Sequence, residues 1–461
     1  MSAREELTRL RAWTAVPKPS FVGGNQVQLL EGGDTLFPRM CAAIAAAQHE
    51  VWLATYIFHD DPAAQVVISA LRDAAARGVA VHVVVDGFGS KGTLPLLRQS
   101  LAGAEVKLEV FRPLERWYAW LQPGQLRRLH QKLCVCDETV AFVGGINLID
   151  DRHDMNHGWT EFPRLDFAVE VRGPLAAGIH ATARAMWARA HLARAWREEV
   201  RTLARGARPA RQAIEILRQL RGAATLPGGA DAAAKAQPPL PMQAAFIVRD
   251  NLRQRRAIER SYVEAIRKAK QRVDIAVPYF YPGRSFRRAL RGAAKRGVQV
   301  RLLMQGKVDY RIAALAARAL YDELQAHGVR IFEYTPAFLH AKVALVDDDW
   351  ATVGSSNIDP LSLLLNLEAN IVVRDAEFAR VLGERFEAAF AVSREVLPGV
   401  AAPDGDAGSD AGSDADSDTT PNIGGKPSWR TRRGWRGWAR RALVAWMANI
   451  YLRVAGITGR Y

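Results

Sequence analysis

The chain has 461 residues, 49% of them apolar, and carries 63 Lys and Arg against 48 Asp and Glu, a formal charge of +15. That length is more than one ordinary core serves, so two domains or two fused halves are expected, and the apolar content excludes a disordered or low-complexity chain. The basic excess points to a polyanionic partner, nucleic acid or an anionic membrane surface, without choosing between them.

In chain order, the opening MSAREELTRLRAW is charged from its start and lacks the apolar core of a signal peptide. The run VWLATYIF (51–58) reads as a buried strand, VVISALRDAAARG as a helix ending at Gly78, and VAVHVVVDGFG as a second strand. The loop ERWYAWLQPGQLRR sets aromatics beside bases just ahead of LHQKLCVCDETVAFVGGIN (129–147). A basic Ala/Arg-rich helical segment then leads to LPGGADAAAKAQPPLPM, which reads as a linker. In the second half VDIAVPYFYPG, SFRRALRGAAKRG and VQVRLLMQG repeat the strand–helix–strand order, and LHAKVALVDDDWATVGSSN (339–357) repeats the first histidine stretch without a gap at a spacing of 210 residues.

The expected architecture is therefore α/β and duplicated, each half a mixed, mostly parallel sheet flanked by helices, as alternating strands and helices imply. The expected segments are an N-terminal piece (1–24), a first domain (25–182), a basic helix and linker (183–243), a second domain (244–397), an acidic disordered linker (398–427) and a Trp/Arg-rich amphipathic segment (428–461). In the last, Trp429, Trp435, Trp438 and Trp446 mix with six arginines ahead of a short apolar stretch, which suits a lipid headgroup boundary; docking on the core and binding of RNA are the rival readings. No run reaches the roughly 18 to 20 apolar residues that span a bilayer. Three cysteines, Cys41, Cys134 and Cys136, form no disulfide framework and suit a reducing compartment, so a cytosolic or peripheral cytosolic-face location is expected.

On extended backbone, residues two apart share a face, so His130 and Lys132 point one way, as do His340 and Lys342. Asp137 and Asp347 fall on the opposite parity and are placed to brace the backbone. Gly-Gly and Gly-Ser permit a tight turn, and Asn147 and Asn357 bring amide donors to it. Across a pseudo-twofold axis, paired histidines, lysines and asparagines make a phosphodiester pocket in which one imidazole attacks phosphorus and the other protonates the leaving oxygen. Cys134 and Cys136 with His130 have zinc-ligand chemistry, but the second copy has Ala344 and Val346 at those places, so the thiols are expected only to pack.

The doubled pattern H-x-K-x4-D, followed after six intervening residues by G-G/S-x-N, resembles the phospholipase D superfamily. With Tyr279 and Phe280 before a proline turn and NIDPLSLLLNLEAN after the second motif, it resembles the bacterial cardiolipin synthases of the B type. The likeness covers about residues 25–180 and 245–395. It implies a covalent phosphohistidine, no metal or other cofactor, and one active site between the halves. It further implies catalytic roles for His130, Lys132, Asp137, His340, Lys342 and Asp347. Glu368 would orient His130 and Asp166 would orient His340. The implied partners are an anionic phospholipid membrane and phosphatidylglycerol as substrate, with nucleic acid not expected. Phospholipase D hydrolysis, a nuclease of the same superfamily and a non-enzymatic membrane scaffold remain the competing functions.

Overall fold

The structure is a computed structural model that describes residues 20–113, 127–155, 157–205, 242–250, 254–307, 318 and 320–398. The aromatic loop before the first motif, the linker and the acidic and Trp/Arg segments fall largely or wholly outside those residues.

The first half contributes strands β1 (Phe21–Glu31), β2 (Glu50–Thr55), β3 (Ala80–Asp86), β4 (Val106–Phe111), β5 (Leu133–Cys136), β6 (Val140–Gly144), a small hairpin of β7 (His153–Asp154) and β8 (Gly158–Trp159), and β9 (Phe167–Arg172). The second half contributes β10 (Met242–Arg249), β11 (Arg272–Ala276), β12 (Gln299–Gln305), β13 (Arg330–Tyr334), β14 (Val343–Val346), β15 (Trp350–Gly354), β16 (Glu368–Arg374) and β17 (Arg394–Glu395). β2 and β3 are apolar on both faces because helices cover both sides of the sheet. The helix between them, Pro62–Ala76, begins where the Asp61 carboxylate accepts the Ala64 N–H and proline takes the first turn. Val67, Ile68, Leu71, Ala74 and Ala75 give it one buried stripe, and Gly78 at φ +87° ends it.

Apart from the small hairpin, these strands form one 15-stranded sheet in the order β17-β13-β12-β11-β14-β15-β16-β10-β1-β9-β6-β5-β2-β3-β4. Read outward from the antiparallel β1–β10 junction, the two halves match strand for strand, with β17 added at one edge. The likeness extends to single bridges: Phe58 pairs with Leu148, and Phe280 with Ile358. The sheet is mixed, as expected, but its parallel pairs are confined to β2–β3–β4 and β11–β12–β13. The other pairings are antiparallel, which corrects the mostly parallel expectation. A three-residue turn returns each motif strand as a hairpin, β5–β6 and β14–β15, and a hairpin is necessarily antiparallel.

On one face of the sheet, helices Gly32–Ala46 and Pro62–Ala76 cover the first half, and Ala257–Lys268 with Arg284–Lys295 cover the second. On the other face a single core runs through both halves beneath Leu175–Arg205 and Ala376–Ala391, joining Val169, Ile179 and Met186 to Phe246, Leu339 and Phe386. This shared core fixes one half against the other. The helix Leu175–Arg205 passes through the boundary expected after residue 182, because its first turns already pack on the first half.

Candidate active site

His130 and Lys132 lie on extended chain just before β5, and His340 and Lys342 just before β14. They are not within the strands, and each lead-in is held by the opposite half. The His130 N–H donates to the Leu367 carbonyl (3.0 Å), and the His340 N–H donates to the Leu165 carbonyl (2.8 Å). The next residue after each acceptor is an acid, so the backbone crossing delivers a carboxylate to the imidazole of the other half. The Glu368 Oε2 lies 3.0 Å from Nδ1 of His130, and the Asp166 Oδ2 lies 2.5 Å from Nδ1 of His340. Both carboxylates are fully buried, whereas the side chains of His130 and His340 keep 12% and 24% exposure. An acid on Nδ1 fixes the tautomer and leaves Nε2 as the reactive nitrogen.

The two pairs are built differently at one matched position. Gly145 stands beside Asp166; a Cβ there would lie 2.3 Å from its Oδ1. Its counterpart, Ser355, donates its hydroxyl to Glu368 Oε2 (2.6 Å) and offers its carbonyl to His130 Nδ1 (3.2 Å). Asp166 is further pinned by the Phe167 N–H (2.8 Å), so it cannot simply swing aside. Gly145→Ala should push the carboxylate off His340 and lower kcat by about 100-fold, the usual effect of an ångström-scale misplacement. Steady-state rates beside a melting curve test this; an unchanged kcat in a folded variant contradicts it.

Lys132 and Lys342 are buried, and each ammonium donates to the carbonyl of its own histidine. Burial brings Lys132 down to about 8 and Lys342 down to about 7, against the pull of Asp166 and Glu368. Burial also lowers both imidazoles, His340 most, so both start neutral. Asp166 is pushed up by burial to about 6. Burial would raise Glu368 as well, but His130, Lys132 and the Ser355 hydroxyl hold it below its ordinary range. At neutral pH both orienting acids are therefore ionised.

Asn147 accepts the Ile57 N–H through Oδ1 (3.3 Å), which ties the loop after β2 to the motif turn. Asn357 is buried, and its Oδ1 has no hydrogen-bond partner among the described residues. Asp137 and Asp347 stand at the far end of their strands, seven extended residues or roughly 20 Å of chain from the imidazoles. Each adopts a left-handed backbone and caps three successive N–H groups, Gln48–Glu50 in the first half and Lys270–Arg272 in the second. Their grouping with the catalytic residues is thus corrected: they hold the framework. Cys134 and Cys136 are free and packed in the core under the first-half helices, apart from any imidazole pair.

Two positioning groups escaped the sequence reading. Asp86 at the end of β3 accepts the Leu129 N–H (2.8 Å), and Gln305 at the end of β12 accepts the Leu339 N–H (2.7 Å). They occupy matching places at the carboxyl ends of parallel strands, the position where α/β sheets build sites. Arg164 adds positive charge felt by His340, Lys342 and Asp166.

A twinned α/β sheet that brings two H-x-K pairs and two crossed acids to one seam defines a phospholipase D-like protein. The profile of the family described as cardiolipin synthase, PLD-like domain, matches residues 40–159 and 262–390, and the chain belongs to this family. It is 38% identical over 374 residues to cardiolipin synthase B of Salmonella typhi, covering 79% of this chain and 80% of that one. Against cardiolipin synthase B of Escherichia coli K12 it is 36% identical over 375 residues, with 79% and 80% covered. The solved structure of phosphatidylserine synthase from Haemophilus influenzae Rd KW20 shares the fold, with a TM-score of 0.54 at 11% identity, covering 85% of this chain and 92% of that one.

Proposed function

We propose that the chain is a cardiolipin synthase that moves a phosphatidyl group from one phosphatidylglycerol to a hydroxyl of a second. Nε2 of one histidine attacks the donor phosphorus. The bond to the glycerol oxygen breaks, and the other imidazole gives that oxygen its proton. The acceptor hydroxyl then yields a proton to the same imidazole and attacks phosphorus, and the phosphorus–nitrogen bond breaks. A bound phosphodiester anion raises both depressed imidazoles, so one gains the proton that a general acid needs. Lys132, Lys342 and the amides of Asn147 and Asn357 stabilise the charge that builds on the equatorial oxygens. The observation that carries this reading is the crossed pairing: His130 with Glu368 and His340 with Asp166, each made from both halves.

No described helix is long and apolar enough to cross a membrane. Residues 428–461 are proposed to hold the enzyme on the anionic cytosolic face through tryptophans and arginines at the headgroup level. Incubation with phosphatidylglycerol vesicles should yield cardiolipin and glycerol in equal amounts. Phosphatidic acid as the sole product would make the protein a hydrolase, and unchanged lipid would turn attention to nucleic acid. In the same assay, a chain ending at residue 400 should bind vesicles more weakly yet turn over detergent-dispersed lipid normally.

A further inference from the structure

Outside the catalytic seam, His59 and Asp61 follow β2, and His153 opens the β7–β8 hairpin. The Asp61 carboxylate is fixed from behind by two backbone donors, Ala64 N–H to Oδ1 (3.0 Å) and Asp150 N–H to Oδ2 (2.8 Å). In front of it, Nδ1 of His59 and Nδ1 of His153 each stand 3.5 Å from the same Oδ2. Both nitrogens are shielded from solvent, and neither has a hydrogen-bond partner among the described residues. The two rings meet edge to face with centroids 4.5 Å apart, and Trp159 stacks on His153 at 5.1 Å. Asp60 Oδ1, 3.1 Å from His59 Nδ1, adds a second carboxylate at the rim.

Hydrogen bonding does not explain this spacing. A proton on either Nδ1 would draw Oδ2 in to about 2.8 Å. Without those protons, two nitrogen lone pairs face a carboxylate across a buried gap with nothing positive between them, an arrangement that costs free energy. By contrast, His180 sits 2.8 Å from Glu50 and 2.7 Å from Glu138, direct contact distances that leave no gap for an ion to fill. Ligand atoms about 2.0–2.2 Å from a tetrahedral metal stand about 3.4 Å from one another.

We propose that His59, Asp61 and His153 bind one divalent transition metal of the zinc class, with water or Asp60 completing the shell. Two imidazoles favour such a metal over calcium or magnesium, which prefer all-oxygen shells. The Asp150 and Ala64 N–H groups serve as the outer donors that orient a ligating carboxylate. The bound ion clamps the hairpin that carries exposed Met155 and Trp159 to the loop after β2. That loop is the one Asn147 also holds, so the metal stiffens the rim of the catalytic seam without touching its imidazoles. This site stands independently of the lipid reading.

The test is a cobalt(II) titration of the chelator-treated full chain, read by visible absorption and by metal content after gel filtration. One cobalt per chain with a tetrahedral spectrum, displaced by zinc, is expected. His59→Ala and His153→Ala should lose that uptake, whereas His157→Ala, at an exposed histidine paired with Asp154, should keep it. Zinc should also raise the melting temperature of the unmodified chain, with calcium and magnesium giving no shift. Substoichiometric cobalt uptake by the unmodified chain overturns the proposal, as does equal uptake by folded His59→Ala and His153→Ala chains.

Discussion

Replacing His130 or His340 with alanine should each lower turnover of phosphatidylglycerol by at least about 10³-fold, the combined scale of losing a nucleophile or a positioned general acid. The two losses should not multiply. One imidazole cannot complete the transfer without the other, so the double variant should be no slower than the worse single one. The side chains of His130 and His340 keep 12% and 24% exposure at the seam, and a melting curve for each variant separates lost chemistry from lost folding. Turnover is followed as glycerol released. Either single variant retaining a tenth of the activity would mean that the imidazoles do not act as a pair.

Lys132→Met and Lys342→Met should each reduce kcat/KM by about 10²- to 10³-fold, as expected for a donor aimed at charge that grows in the transition state. The pH profile gives a sharper signature. A lysine lowered to about 7 or 8 by burial sheds its charge as pH rises through that value. The free enzyme therefore loses phosphate-binding charge on the alkaline side, in two steps near 7 and 8. As pH falls below about 6, Asp166 takes up a proton and ceases to orient His340 as an anion. The resulting kcat/KM profile is a bell that peaks near neutrality. In Lys342→Met the lower alkaline step should vanish, leaving the one set by Lys132. An alkaline limb unchanged by both substitutions would assign it to another group.

Much of this was legible in the sequence because duplication turns a weak local pattern into a strong one. The strand–helix–strand order, the two motifs in register and the family resemblance led to the twinned α/β fold that the structure has. The hairpin returns of β5–β6 and β14–β15, and the antiparallel β1–β10 junction, were not, because strand direction depends on partners far along the chain. The sequence also singled out Asp166 and Glu368, and the structure sets them against opposite imidazoles. It could not single out Asp86 and Gln305, which differ in chemistry and accept matching N–H groups, those of Leu129 and Leu339, only once β3 and β12 take equivalent places in the two halves of the sheet. Gly145 and Ser355 look like interchangeable turn residues until the shorter Asp166 and the longer Glu368 fill the space above them. Asp137 and Asp347 carry the motif's name for an acid, yet a strand's length separates them from the chemistry. The His59, Asp61 and His153 grouping was invisible for the same reason: some 90 residues of chain intervene between its two loops.

Two imidazoles acting on a single phosphorus make a direct prediction for the covalent intermediate. Acid quenching during turnover of radiolabelled phosphatidylglycerol, followed by peptide mapping, should recover at most one phosphatidyl group per chain, all of it on one of His130 and His340. Label on both histidines, or two groups per chain, would mean two separate sites and would contradict the shared one.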